Sequence, residues 1–193
     1  EDGYFTFESV VKNISDKMIR RHPHVFNGAD QHKTTKQQIS DWEKIKESER
    51  SDKHNGPTKT LGGIAKNLPA LTRAVKLQNR AARVGFDWPD ISGVTDKITE
   101  EIAELTEARE ILSYDNQVEE YGDLLFVMTN FARHLKIDPE EALRAANEKF
   151  SRRFESVEQK LAAIGKSPIQ SNLDEMNNLW NIVKKLEKEK TIL

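Results

Sequence analysis

The chain has 193 residues and a formal net charge of −2, the balance of 30 basic and 32 acidic side chains. This near-neutral total disfavours a general nucleic-acid binder, which would carry a basic excess, and the absence of cysteine excludes disulfide scaffolds, zinc–thiolate sites and thiol catalysis. Because no apolar run approaches the roughly 20 residues of a membrane span, we expect a soluble, cytoplasmic protein that contacts neither nucleic acid nor a membrane.

Apolar residues recur at helical spacing along the chain, and no stretch alternates as a strand would. Breakers lie at the segment ends, as at Pro23, Asn55-Gly56-Pro57 and Gly85, and Asp138-Pro139 is a strong helix start. The pattern therefore predicts an all-α fold. In chain order, the predicted helices span residues 7–21, 40–50, 69–84, 94–108, 117–135 and 139–164, and a last amphipathic helix carries Leu173, Met176, Trp180, Val183 and Leu186.

A weak internal repeat links the first helix to a later one. Residues 15–21 resemble residues 147–153 at an offset of 132 positions. One interpretation is that residues 1–26 are the end of an earlier copy of the same domain. The other is chance similarity between two basic amphipathic helices.

Charge is distributed unevenly along the chain. Residues 95–123 contain ten acidic side chains against Lys97 and Arg109, an excess of eight negative charges. Basic side chains lie on either side, within residues 69–84 and 149–153. An acidic run of this kind is either a solvated helix face or the ligand set of a divalent cation, and the positions of the acids on their helices help to decide.

Glu101 occupies an unusual position for an acid. At about 100° per residue, it lies against the apolar stripe of the helix predicted at 94–108, and Glu104 lies on the border of that stripe. Burying an unpaired carboxylate costs several kcal/mol, so Glu101 needs a cation or a hydrogen-bonded partner. The stripe consists of Val94, Ile98, Ile102 and Leu105.

The next helix presents Glu120 and Asp123, which are three residues apart and hence on one side. Gly122 between them costs about 1 kcal/mol relative to Ala in a helix interior, which a close helix approach or a ligand would justify. Helices joined by a short loop pack antiparallel, so these acids can face Glu101 and Glu104. Four oxygen donors suit Mg²⁺, with Mn²⁺ as a substitute, rather than zinc; the alternative is pairing with Lys and Arg of neighbouring helices.

The same acids carry a family resemblance. Glu100-Glu101-x-x-Glu104 followed by Glu120-x-x-Asp123 resembles the EExxE…ExxD signature of the all-α nucleoside triphosphate pyrophosphohydrolases, and it is most similar to the MazG branch. Further phrases agree with that branch: Arg21-His22-Pro23-His24-Val25-Phe26, Trp42-Glu43-x-Ile45-Lys46, Leu68-Pro69-Ala70-Leu71, Val84-Gly85-Phe86-Asp87-Trp88, Gly122-Asp123-Leu124-Leu125-Phe126 and Asn147-Glu148-Lys149-Phe150.

The resemblance implies a fold and an organisation. The fold is an antiparallel helical bundle of the all-α NTP pyrophosphatase type, assembled as a homodimer. Because MazG proteins typically carry two tandem domains, the resemblance assigns residues 1–26 to the C-terminal helix of a first MazG-like domain. Residues 27–66 become a polar linker with one short helix, and residues 67–193 a complete catalytic domain.

It also implies a reaction, the Mg²⁺-dependent conversion of a nucleoside triphosphate and water to the monophosphate and pyrophosphate. The expected metal ligands are Glu101, Glu104, Glu120 and Asp123. The attacking water is activated by the metal or by a carboxylate acting as general base. The candidates for that catalytic role are Glu100, Glu101 and Glu119.

A triphosphate also requires cationic partners. The resemblance places Asn147, Lys149 and Arg153 at the phosphates, and the adjacent Arg152 is a further candidate. Lys97, one turn before Glu101, is a similar substrate-binding candidate. For basic residues on a helix, the alternative role is surface solubility and ion pairing.

Trp180 is expected to line the pocket of the base, because it aligns with a Trp on the family's C-terminal helix. Trp88 and Phe86 are alternatives, and core packing is the ordinary role of each. The expected function is hydrolysis of nucleoside triphosphates with broad base tolerance, in nucleotide house-cleaning. The alternatives are the related phosphoribosyl-ATP pyrophosphohydrolase activity and a non-catalytic helical dimerisation or nucleotide-sensing module.

Overall fold

The computed structural model describes residues 6–26, 33–54, 59–111 and 113–192. Every regular element within these ranges is helical, which confirms the all-α prediction. None of the described helices is both long enough and apolar enough to cross a bilayer. The helices are α1 (Phe7–Arg21), α2 (Pro23–Phe26), α3 (Thr35–His54), α4 (Ala70–Arg83), α5 (Ile91–Ile111), α6 (Tyr114–His134), α7 (Pro139–Ala162) and, after a 3₁₀ turn at Pro168–Gln170, α8 (Leu173–Ile192).

The connection between α5 and α6 is shorter than predicted, because only residues 112 and 113 separate the two helices. The reason is a helix cap at Ser113, whose side chain accepts a hydrogen bond from the backbone N–H of Asn116. Such a cap satisfies a donor that the first turn leaves unpaired. Residues 114–116, which preceded the helix predicted at 117–135, therefore form the first turn of α6.

α3 corrects the prediction of a short helix in the linker. The pattern predicted residues 40–50, whereas α3 has 20 residues, Thr35–His54. Its apolar side chains are few, so hydrophobic periodicity detected only the part around Trp42 and Ile45. The break predicted at Asn55-Gly56-Pro57 lies outside the described residues.

The chain divides into two compact units, residues 1–63 and 64–193. In the first unit, no residue of α1 is fully buried. α1 is joined to α3 by Arg20 and Arg21, which both bind the carboxylate of Glu49. Charged side chains therefore join α1 to α3.

In the second unit, α5 and α6 form a long hairpin, α4 packs against α6, and α7 contacts both α4 and α6. A second hairpin is formed by α7 and α8. Fully burying a Val or Leu side chain contributes about 1.5–3 kcal/mol, so apolar packing positions both hairpins. The buried apolar residues are Ala74, Val94, Ala108 and Val127 on α4 to α6, and Val157, Leu161 and Val183 on α7 and α8.

α6 also leaves an apolar face exposed along its length. Five large side chains recur there at alternating intervals of four and three residues, the spacing of a coiled-coil seam. We call them the α6 seam. They are between 42% and 76% exposed: Tyr114, Val118, Tyr121, Leu125 and Met128.

Candidate metal and nucleotide site

The buried face of α5 contains a carboxylate. Val94, Glu101 and Ala108 are seven residues apart and are the buried residues of this helix. Glu101 is only 4% exposed, between two apolar positions that are fully buried. This confirms the buried position that the helical wheel predicted for Glu101. A carboxylate at such a position requires a partner that compensates its charge.

Lys97, which lies on the same helix, partly compensates this charge. Its Nζ lies 2.7 Å from Oε1 of Glu101, 2.7 Å from Oε1 of Glu100 and 3.9 Å from Oε2 of Glu104. Hydrogen bonds to Glu100 and then to Glu101 raise the pKa of Lys97 above its ordinary value of 10.5. The ammonium group is therefore held among three carboxylates.

Lys97 satisfies only one oxygen of Glu101. Oε2 is buried and has no hydrogen-bond partner among the described residues. A buried carboxylate oxygen without a partner costs free energy that a ligand can recover. This oxygen is thus available to a cation approaching from the other side of the carboxylate.

α6 brings a third acid to the same place. One carboxylate oxygen each from Glu101, Glu104 and Glu120 lie within 4.8 Å of one another. Partial burial, and then the charges of Glu104 and Glu101, raise the pKa of Glu120 above its ordinary value of 4.5. Three carboxylates at this separation, one of which has a buried oxygen without a hydrogen-bond partner among the described residues, fit a divalent cation such as Mg²⁺.

The other predicted acids lie around this group rather than in it. Asp123 and Glu119 are exposed on α6, and their charges contribute to the raised pKa of Glu120. Glu100 is held by Lys97. Within the described ranges Gly122 makes no close approach to another element, since a Cβ built there meets no atom within 4 Å.

The other predicted phosphate-binding residues lie on α7, and two of them contact α8. The Nε of Arg152 and that of Arg153 donate to the two oxygens of Glu187, at 3.0 and 2.7 Å. These bonds, from Arg153 and then Arg152, lower the pKa of Glu187. Asn147 and Lys149 are exposed on α7, the helix that carries the two arginines.

Trp180 lies beside Arg153 and is also part of the α7–α8 core. Its ring centroid is 5.4 Å from that of Phe150, and the guanidinium carbon of Arg153 is 5.8 Å from it. The ring is partly buried against Val157 and Leu161. Both roles considered for Trp180, core packing and a surface for the base, are compatible with this position.

The structure therefore collects the predicted residues into two groups. Lys97 and the acids lie on α5 and α6, whereas the remaining cations and Trp180 lie on α7 and α8. Sequence reasoning did not single out Glu187, which orients both arginines. One feature of the sequence could have indicated it. Glu187 follows Trp180 by seven residues on the same helix, so both lie on the side of that helix that faces α7.

Comparison with known proteins identifies the family. The family model of the MazG nucleotide pyrophosphohydrolase domain matches residues 1–26 and 91–158. The nucleoside triphosphate pyrophosphohydrolase of Escherichia coli (strain K12) is 44% identical over 189 residues, which cover 97% of this chain and 71% of that protein. The chain belongs to the MazG family.

Two further relatives extend the comparison. The nucleoside triphosphate pyrophosphohydrolase/pyrophosphatase MazG of Thermotoga maritima is 38% identical over 184 residues, covering 95% of this chain and 68% of that protein. The uncharacterized protein YabN of Bacillus subtilis is 42% identical over 189 residues, but these cover only 38% of its length. The resemblance stated from the EExxE and ExxD motifs is confirmed.

Proposed function

We propose that this MazG family member hydrolyses nucleoside triphosphates to the monophosphate and pyrophosphate. Two relatives that align with nearly the whole chain are named nucleoside triphosphate pyrophosphohydrolases. The observation that carries the proposal is the group of three carboxylates with an unpartnered, buried oxygen on Glu101. Cleavage of a phosphoric anhydride depends on neutralising and positioning its oxygens, and such a group is suited to hold the required cation.

Glu101, Glu104 and Glu120 would hold Mg²⁺, with Mn²⁺ as a substitute and Asp123 as a further ligand. The orphaned Oε2 of Glu101 and the all-oxygen donor set support this assignment. A bound Mg²⁺ would neutralise phosphate oxygens and lower the pKa of an attacking water. The repulsion that raises the pKa of Glu120 would be relieved by the same charge.

The general base is proposed among Glu100, Glu101 and Glu119. Glu100 is engaged with Lys97, and Glu101 has one oxygen engaged with it. Glu119 lies one residue before Glu120 and is exposed. A base must reach the proton that it removes, and an exposed carboxylate beside the acidic group has that access.

The substrate phosphates would be bound by cations of both groups. We assign this role to Lys97 on α5 and to a set on α7 that comprises Asn147, Lys149, Arg152 and Arg153. Glu187 binds both arginines, which reduces the side-chain entropy lost when they meet an anion.

The base would contact the exposed part of Trp180. Its neighbours there are Arg153 and Phe150. Stacking on an aromatic ring is tolerant of base identity because every base has a π-face. This supports broad base tolerance and a house-cleaning role.

A homodimer is proposed with the α6 seam as its contact. Monomeric proteins rarely expose contiguous apolar patches of more than a few hundred Å², and the seam has the spacing with which helices pack against each other. A second copy of the chain would cover it with an identical seam. The two-fold arrangement is the commonest for such assemblies.

The domain assignment is also a proposal. The same family model matches residues 1–26 and, separately, residues 91–158, which supports two MazG-like segments in one chain. We place the catalytic domain at residues 67–193 and the end of a first domain at residues 1–26. We propose the cytoplasm as the location, in keeping with a cysteine-free sequence.

The proposal is tested by incubating the chain with a panel of nucleoside triphosphates and Mg²⁺ and measuring pyrophosphate release. We expect release from several bases, and a loss of at least tenfold in kcat for Glu101→Gln. The matched control is Glu107→Gln, which removes an exposed acid from the same helix. Wild-type turnover of the Glu101→Gln protein would contradict the proposal. Nucleotide binding without release from any substrate would indicate the nucleotide-sensing alternative.

A further inference from the structure

A pocket of about 420 Å³ lies at the C-terminal end of α6, away from the carboxylate group. Its lining comes from α4, the end of α6 and the start of α7. Arg133 at this pocket follows Glu120 by 13 residues on α6, which corresponds to about 20 Å along a helix axis. None of the described residues to which the proposed function was assigned lines the pocket. Its volume lies within the range of roughly 300–1,000 Å³ that is typical of small-molecule sites.

Three basic side chains line this pocket. Lys76 comes from α4, Arg133 from the last turn of α6, and Lys136 from the connection that follows it. Lys76 and Lys136 are exposed, and within the described ranges neither forms an ion pair. Lys76 also belongs to the basic stretch at residues 69–84, which has no part in the proposed function. Two lysines without acidic partners are thus brought to one pocket from separate elements.

The acids near the pocket are already engaged. Asp87 is bound by Arg133. Asp138 accepts hydrogen bonds from two backbone N–H groups in the first turn of α7, at 3.0 and 3.2 Å. Glu140 accepts a hydrogen bond from the hydroxyl of Thr72, at 3.4 Å. Acids at the start of a helix also compensate the positive end of its dipole, so the charges of the two lysines remain for an anionic ligand to neutralise.

Lys136 has a backbone conformation that lysine rarely adopts. Its φ is +59°, and no other non-glycine residue within the described ranges has a positive φ. The N–H groups of Lys136 and of the next residue donate to carbonyls three and five positions back, which is the Schellman pattern of helix ends. α4 and α7 end with the same pattern, but there the left-handed residue is a glycine, Gly85 or Gly165.

A lysine in this conformation costs free energy that glycine would avoid. The dipole of α6 does not require this cation, because Arg133 and His134 already lie in the last turn of the helix. Strained backbone positions cluster at binding and catalytic sites. A binding role for the ammonium group of Lys136 explains why lysine, and not glycine, occupies this helix end.

We propose that the pocket binds the phosphate group of a small phosphorylated molecule, with Lys76 and Lys136 as its cationic partners. Lysine ammonium groups are compact charges that bind phosphate oxygens well. The lining also includes Val75, Ile137 and Pro139, which offer apolar contacts to the organic part of such a molecule. Binding here requires no metal ligand and is independent of hydrolysis at the carboxylate group.

The test is a titration of the full chain with phenyl phosphate in EDTA, followed by the amide chemical shifts in NMR spectra. Residues 136–138 report on the pocket and residues 147–153 on the phosphate-binding set proposed on α7, so the two places are observed separately. We expect saturable shifts at residues 136–138, and weaker binding of inorganic phosphate because it lacks an apolar part. Absent shifts at residues 136–138, or shifts confined to residues 147–153, would overturn the proposal.

The variant Lys136→Gly separates binding from backbone strain. It removes the charge and the left-handed lysine together, so the affinity for phenyl phosphate should fall by about tenfold. The melting temperature without ligand should rise by about 2–4 °C. Lys76→Gln should weaken binding to a similar extent without raising the melting temperature, because α4 is regular at this residue.

The matched control is Lys185→Ala, which removes an exposed lysine of α8 outside the pocket. It should leave the affinity measured at residues 136–138 unchanged. A Lys136→Gly protein that is more stable than wild type but binds phenyl phosphate equally well would overturn the proposal, since the lysine would then be strained without a binding role. Equal losses of affinity in Lys76→Gln and Lys185→Ala would overturn it as well, because they would reflect net charge alone.

Discussion

At the scale of single residues, Lys97 makes the buried carboxylate of Glu101 tolerable. Its ammonium lies 2.7 Å from Glu101, whose side chain is 5% exposed, whereas that of Lys97 is 32% exposed. Removing one partner of such a pair leaves a buried charge uncompensated. We therefore expect stability and the proposed cation binding to be coupled at this position.

The variant Lys97→Met tests the coupling. In EDTA we expect the free energy of unfolding to fall by about 1–3 kcal/mol, because an unpaired buried group is left. Mg²⁺ should then stabilise the variant more than it stabilises wild type, since the carboxylates lack their internal cation. Urea unfolding with and without Mg²⁺ measures both effects. The control is Lys76→Met, an exposed lysine of α4; equal behaviour of the two variants would argue against the coupling.

Glu120 gives a pH-dependent prediction. Partial burial and then the charges of Glu104 and Glu101 raise the pKa of Glu120 above 4.5. The folded state therefore binds this proton more tightly than the unfolded state, so deprotonation destabilises the fold. The penalty is present above the raised pKa and disappears as the pH falls below 4.5.

Glu120→Gln should remove this penalty. In EDTA at neutral pH we expect the variant to be more stable than wild type, with the difference vanishing near pH 4 and below. Added Mg²⁺ should reverse the order, because the variant loses a ligand of the proposed site. Thermal unfolding across this pH range is the measurement. A difference that does not depend on pH would contradict the electrostatic explanation.

At the scale of elements, the two glycines of the α5–α6 hairpin have opposite roles. A Cβ on Gly93 would collide with the indole of Trp88, whereas a Cβ on Gly122 meets open space. Gly93 thus lets the Trp88 ring lie on the first turns of α5. No contact among the described residues explains the helix stability that Gly122 costs.

The pair Gly93→Ala and Gly122→Ala makes a matched experiment. Gly93→Ala should lower the melting temperature, because the indole must leave its place on α5. Gly122→Ala should stabilise the isolated chain by up to about 1 kcal/mol through helix propensity. Differential scanning calorimetry compares them. If Gly122→Ala stabilises the fold but impairs pyrophosphate release, the absence of a side chain there serves a ligand, as the sequence pattern suggested.

At the scale of the whole molecule, the α6 seam is the reason to expect that the chain forms a dimer. Its five side chains are at least 42% exposed, and they lie on the helix that also carries Glu120. Assembly through the seam would therefore fix the helix that supplies a proposed metal ligand. Oligomeric state and activity should change together.

Leu125→Lys introduces a charge in the middle of the seam, where Leu125 is 42% exposed. We expect it to convert a dimer to monomers in light scattering and to reduce pyrophosphate release. The matched control is Leu143→Lys, at a leucine on α7 that is 51% exposed and lies outside the seam. A wild-type chain that is monomeric at micromolar concentration would contradict the proposed assembly.

Several features followed from residue order alone. Periodicity predicted the helices, because one backbone geometry repeats every 3.6 residues. The same arithmetic placed Glu101 against the apolar stripe, where the structure finds it buried. The offset of 132 positions between residues 15–21 and 147–153 is likewise a property of residue order, and a repeat is one of its two interpretations.

The tertiary structure decided which of these residues meet. It brings Glu120 close to Glu101 and Glu104 and leaves Asp123 outside that group. It also pairs Lys97 with carboxylates of its own helix. It also extends α3 and pairs it with α1 through Glu49. Helical periodicity is a local property that neighbouring residues determine, whereas the distance between two side chains on different helices depends on how those helices pack, and residue order does not express that packing directly.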